Sequence, residues 1–188
     1  ALQGPGGAGP APGPGPDAPR RRALVVSCSY PSSRAPLRGT LNDGWNVLSL
    51  LRHTLQYTEG QVHFLAEGLP PALAPTRDNI LKGLEWLTSD AQPGDELFFF
   101  FAGHGAQQPV SVDGGPHAAF LVPSDFAEGL PSDLLADVAS QRAGDSMPEA
   151  ACRLVALAEV MRALARLPPT CRATLALDCA WSRAPGAI

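Results

Sequence analysis

Apolar and polar positions along the chain alternate between two periods. Ala23–Cys28 (ALVVSC) is a short, continuous apolar run and predicts a buried strand. A polar loop follows, Ser29–Gly39. Thr40 then predicts a helix N-cap, with Asp43 three residues on in the position of a capping box. Leu41, Trp45, Leu48, Leu51 and Leu55 recur every three or four residues and predict one buried helix face. Gln61–Leu65 predicts a short strand. Pro75-Thr76 opens a second helix, with Ile80, Leu84 and Leu87 on its inner face and Asp78 in its first turn. After the turn Pro93-Gly94-Asp95 comes LFFFFAGHG, Leu97–Gly105. Its four consecutive phenylalanines are apolar on both strand faces, as in a strand covered by helices on either side. A Gly-rich loop leads to a fourth strand, Ala118–Val122, and Ser124–Glu149 is expected to be an insertion with partial helix. Arg153–Leu167 predicts a helix, apolar at Leu154, Leu157, Met161 and Leu164, that Pro168-Pro169 ends. Arg172–Leu177 is the fifth strand and runs into Asp178-Cys179. Strands alternating with helices predict an α/β fold with a mostly parallel central sheet flanked by helices.

Composition changes this picture at one end only. Residues 1–22 are mostly Gly, Pro and Ala and are expected to form a disordered leader, with residues 23–188 as one folded domain. The Arg20-Arg21-Arg22 cluster is expected to be a solvated flank before the first strand. The net charge of −4, with no basic stripe, argues against nucleic-acid binding. No stretch is long and apolar enough for a membrane helix. Cys28, Cys152, Cys171 and Cys179 lack metal-site and disulfide-framework spacing, so reduced thiols and a cytoplasmic setting are expected. The four histidines form neither HxxxH nor HExxH, and no metal ligands are expected. Phosphate-loop and GxSxG patterns are absent.

The chemistry gathers at two strand ends. His104, between two glycines, follows the phenylalanine strand, and Cys179 follows the last. In a parallel sheet these ends lie on one edge, where open α/β sheets place ligands. An imidazole beside a thiol accepts its proton and makes it a nucleophile suited to acyl transfer. The glycine N–H groups beside His104 are candidates for holding an oxyanion.

These segments resemble the caspase-like cysteine peptidases, most closely the metacaspases. The similarity runs from about Arg22 to Ser182. It is carried by ALVVSCSY, LRGTLNDGWNV, FLVPSDF and, above all, PTRDNILKGLEWLTSDAQPGDELFFFFAGHG. A Pro/Gly-rich leader is similar to that of the type I metacaspases. The resemblance implies a caspase-like three-layer sandwich and a cysteine endopeptidase with His104 as general base. It also implies an acidic pocket, made by Asp43 and Asp178, for a substrate Arg or Lys. Two carboxylates suit a guanidinium, which they hold by parallel hydrogen bonds.

The family pattern at the nucleophile is Asp-Ser-Cys-His-Ser-Gly, whereas this chain reads Asp178-Cys179-Ala180-Trp181-Ser182-Arg183. Counted from Asp178, the nucleophile position holds Ala180, and Cys179 stands one place before it. Two readings stay open: Cys179 serves as nucleophile, or the domain is an inactive binding and regulatory module. Ala102 stands where the family often has Ser. The family also commonly uses calcium, but its acidic loop is reduced here to Asp113, with Ala118 and Ala119 in place of acidic residues. Leu157 and Ala158 replace an Asp pair, leaving Glu159 and Asp125. Calcium binding is therefore expected to be weak or absent. The missing initiator Met, and an end soon after Cys179, lead us to expect a fragment, or a small-subunit region supplied by another chain. The partner expected is a peptide or protein with Arg or Lys at the cleavage point.

Overall fold

The computed structural model describes residues 19–33, 35–109, 117–128, 153–179 and 181–182. Residues 1–18 of the leader, Asp113, most of the insertion after Glu128, Cys152, Ala180 and Arg183 lie outside them. Four parallel strands form the main sheet: β1 (Arg21–Ser27), β2 (Val62–Ala66), β3 (Glu96–Ala102) and β7 (Arg172–Asp178), in the order β2-β1-β3-β7. Two helices cover it, α1 (Thr40–Ser49) and α2 (Arg77–Thr88).

Side-chain alternation sorts the core into two layers. Ala23, Val25, Phe100 and Ala102 face one way and pack with Leu48 and Leu51. Leu24, Val26, Phe99 and Phe101 face the other way and pack with Ile80, Leu84 and Leu87. This explains why the phenylalanine strand is apolar on both faces: it is central, paired on one side to β1 and on the other to β7. The result is helix, sheet and helix, a three-layer α/β sandwich. The α2 helix begins as its sequence predicts, with Thr76 Oγ1 accepting the Asn79 N–H at 3.3 Å.

Several expectations need correction. Ala118–Val122 does not continue the main sheet. It becomes β5 (His117–Leu121), which pairs with β4 (Gly105–Pro109) and β6 (Val155–Ala156) in a second sheet, completed by β8 (Trp181–Ser182). The polar GAQQP sequence hides β4, because long-range pairing rather than alternation makes it a strand. The late helix starts at Leu157 rather than Arg153, since Val155 and Ala156 are drawn into pairing with β5. We label it α4 (Leu157–Leu164), after the short α3 (Ser124–Glu128). Val160 is its buried residue, and Met161 is 51% exposed.

The buried face of α1 is Thr40, Gly44, Leu48 and, in the π-type turn Leu50–Thr54 that extends it, Leu51. Trp45 is 47% exposed and meets Phe64 edge to face, with ring centroids 4.9 Å apart. The cause is Gly44, which lies so close to β1 that a Cβ there would collide with Ser27 Oγ. Helix and sheet touch through the glycine, and Trp45 is turned outward. Gly39, not Thr40, caps this helix, and the Thr40 hydroxyl is buried without a hydrogen-bond partner among the described residues.

The three arginines are structural. β1 begins at Arg21, two residues before the apolar run. Arg21 donates to the Leu55 and Gln56 carbonyls, and Arg22 to those of Trp86 and Ser89, at the carboxyl ends of the two helical segments. Arg20 meets Asp95, whose carboxylate accepts the Arg20 and Gln92 backbone N–H groups at 2.8 Å each and Arg20 Nε at 3.2 Å. Burial pushes the Asp95 carboxyl up, but these donors overrule it and hold its pKa below the ordinary value. A depressed folded pKa gives stability that is present above the unfolded value and lost as pH falls through and below it. Asp95→Asn is expected to cost about 2 kcal/mol at neutral pH. It should also flatten the acid limb of the stability profile, as read by denaturant titration from neutral pH into the acid range.

Candidate active site

The order β2-β1-β3-β7 places a topological switch between β1 and β3, where the chain leaves β1 first toward β2 and later returns on its other side. Ligands bind outside the carboxyl ends of strands at such a point. A cleft of about 260 Å³ lies there. Its walls are Leu37–Thr40 and Asp43 after β1, Gly103 and His104 after β3, and Asp178 and Cys179 at the carboxyl end of β7. The four residues singled out from the sequence, His104, Cys179, Asp43 and Asp178, thus line one cavity although they come from three distant segments. Ala180 lies outside the described residues.

His104 is held through its ring and its backbone. Nε2 lies 2.7 Å from the Ala35 carbonyl oxygen. A carbonyl only accepts, so Nε2 carries a proton and Nδ1 is the acceptor of the neutral ring. The backbone N–H donates to Tyr30 Oη at 2.9 Å, and the Tyr30 ring stacks on the imidazole with centroids 4.7 Å apart. Gly103 is required for this closeness: a Cβ there would stand 2.6 Å from Tyr30 Oη and 2.8 Å from the Phe101 ring.

One of the two flanking amides is not available for the oxyanion role that the sequence suggests. The Gly103 N–H donates to the Asp178 carbonyl at 3.2 Å, tying the ends of β3 and β7 together. Gly105 sits in β4, between Leu121 and Trp181. The Gly103 amide is therefore committed to the scaffold rather than offered to an oxyanion.

Cys179 is half-buried and packs in part against the larger core cluster. Burial, and then the adjacent Asp178 carboxylate, push its thiol up to about 11. It is a neutral thiol at physiological pH, and no hydrogen bond joins it to His104 among the described residues. Asp43 sits in the first turn of α1, its N–H bonded to the Gly39 carbonyl at 3.0 Å. Neither Asp43 nor Asp178 forms an ion pair among the described residues.

The residues that resemble calcium ligands are otherwise engaged. Asp125 accepts the Arg77 N–H at 3.0 Å. Glu159 accepts the Ala156 N–H at 2.9 Å and pairs with Arg77 at 3.2 Å. No cluster of three or more His, Cys, Asp or Glu side chains able to hold a metal occurs among the described residues. The donor set present there does not fit a calcium shell.

Sequence reading missed the two supports of His104, Tyr30 and the Ala35 carbonyl. Tyr30 is the last residue of the matched segment ALVVSCSY, and Ala35 falls between the matched segments.

Residues 21–159 match the family model described as metacaspase, peptidase C14 domain. Among curated relatives, metacaspase-1A of Aspergillus fumigatus (strain CBS 144.89 / FGSC A1163 / CEA10) is 34% identical over 113 residues, 58% of this chain and 27% of that protein. Metacaspase-1 of Coccidioides immitis (strain RS) is 35% identical over 111 residues, 57% of this chain and 24% of that one. Metacaspase-1A of Aspergillus niger (strain ATCC MYA-4892 / CBS 513.88 / FGSC A1513) is 36% identical over 111 residues, 57% and 27%. The match spans about a quarter of the length of these relatives.

Proposed function

Because the chain belongs to the metacaspase family of caspase-like cysteine peptidases, we propose that its cleft cleaves peptide bonds after arginine or lysine, with Cys179 as nucleophile and His104 as general base. The observation that carries this reading is the single cavity shared by His104, Cys179, Asp43 and Asp178. Asp43 and Asp178 receive the substrate cation, arginine by two parallel hydrogen bonds. That cation also offsets the Asp178 charge, one of the two causes that keep the Cys179 proton in place. The thiol then yields its proton to His104 Nδ1 as the sulfur adds to the scissile carbonyl. The imidazolium returns the proton to the leaving amine as the C–N bond breaks, and water hydrolyses the thioester. A reducing cytoplasmic setting keeps the thiols free.

A second reading has its own support. A thiol raised to about 11, one place from the family's nucleophile position, suits a module that grips a basic peptide segment without turning it over.

Fluorogenic peptides separate the two. The chain is expected to hydrolyse Arg and Lys peptides, with a matched Asp peptide cut at least about a hundredfold more slowly. Asp43→Asn or Asp178→Asn should raise KM about tenfold. Equal cleavage of the Asp peptide overturns the specificity. Saturable Arg-peptide binding without turnover establishes the binding module instead.

A further inference from the structure

The loop after β1 does more than form one wall of the cleft. Tyr30 has a backbone φ of +52°, a left-handed conformation that a bulky aromatic residue adopts only under constraint. The constraint is visible. Glu67, just past β2, accepts the Ser29 N–H on both carboxylate oxygens at 3.0 and 2.9 Å, and the Tyr30 N–H at 2.9 Å. The Leu37 N–H donates to the Ser29 carbonyl at 2.8 Å and closes the loop that contains Ala35.

The side chain held in this way is 3% exposed. Its hydroxyl donates to the Val122 carbonyl at 2.5 Å and accepts the His104 N–H at 2.9 Å. Burial keeps the phenol protonated, so it stays a donor at any working pH. Its ring lies against the imidazole, and the same loop presents the Ala35 oxygen to Nε2.

We propose that Tyr30 is the positioning residue of the site, a strained clamp anchored by Glu67 that fixes the backbone and ring of His104 against the cleft wall. The catalytic part of this inference rests on the peptidase reading; the clamp itself does not. The strain is maintained because one loop must meet the histidine at its N–H, its ring face and its Nε2. An unstrained tyrosine in that loop would not bring all three contacts into register.

The test uses the whole chain with 15N-labelled histidine and the variants Tyr30→Phe and Glu67→Gln. A variant of α2, Leu84→Ala, serves as a control for general destabilisation. Tyr30→Phe is expected to speed exchange of the His104 amide about tenfold, the equivalent of one lost hydrogen bond. It should also broaden or erase the Nε2–H imidazole signal. Glu67→Gln should move both in the same direction, and Leu84→Ala should move neither. Where the chain turns over Arg peptides, Tyr30→Phe lowers kcat about tenfold with KM within about twofold. An unchanged amide rate and imidazole signal in Tyr30→Phe overturns the clamp, as does an equal effect from Leu84→Ala. Absence of turnover in every form, with the spectroscopic changes intact, removes the peptidase reading and leaves the clamp standing.

Discussion

Replacing His104 by alanine is expected to lower kcat for an Arg peptide about a thousandfold while the chain stays folded. A positioned general base contributes roughly two to four orders of magnitude. In the proposed mechanism His104 has more to do than usual, because the Cys179 thiol is raised to about 11 by burial and by Asp178. A thiol of that kind ionises little by itself at neutral pH, so without an acceptor next to it the nucleophile is absent. The fold should tolerate the change, since the ring is only partly buried and its contacts are to the loop after β1. Kinetics on the variant, with far-UV circular dichroism as the folding control, provide the measurement. Alkylation of Cys179 by iodoacetamide should be slow at neutral pH and should climb as pH approaches about 11.

Phe101→Ala is expected to cost about 3–5 kcal/mol of stability, among the larger effects of a single core substitution. Phe101 is fully buried in the central strand and shares its cluster with Leu24, Val26 and the inner face of α2. Few neighbours can collapse into the space, because strands on both sides hold the backbone in register. For a chain of this length the melting temperature should fall by roughly 10 °C. The ring also abuts Gly103, where an added Cβ would stand 2.8 Å from it, so the turn that carries His104 should loosen before the sheet does. Urea titration with an unchanged slope identifies the loss as native-state destabilisation.

What the sequence disclosed and what it hid follow from the range of the forces involved. The phenylalanine strand, the Thr76-capped helix and the placement of His104 and Cys179 at strand ends were legible because each rests on local pattern plus one topological rule. The α1 face was misread because its decisive residue is Gly44, which carries no hydrophobic signal and acts through close approach to Ser27. The second sheet escaped notice because GAQQP becomes a strand only by pairing with a segment at Ala118–Leu121. At the site, the reactive side chains announced themselves by type. Their supports did not. The Ala35 contribution is a backbone carbonyl, which any residue supplies, and the Tyr30 contribution depends on a positive φ that residue type does not encode. The Arg20–Arg22 cluster reads as a solvated flank because charge is its visible signal. Its actual work, meeting helix-end carbonyls and Asp95, is a matter of tertiary position.

The central claim is that Cys179 and His104 form one reactive pair in a cleft that reads a basic side chain. It is tested most directly by an arginine-directed, thiol-reactive peptide probe, with the modified residue located by mass spectrometry. A single adduct on Cys179, blocked by excess Arg peptide and slowed in His104→Ala, is the predicted result. An adduct confined to Cys28 or Cys171 in the folded chain, or none on Cys179, contradicts it.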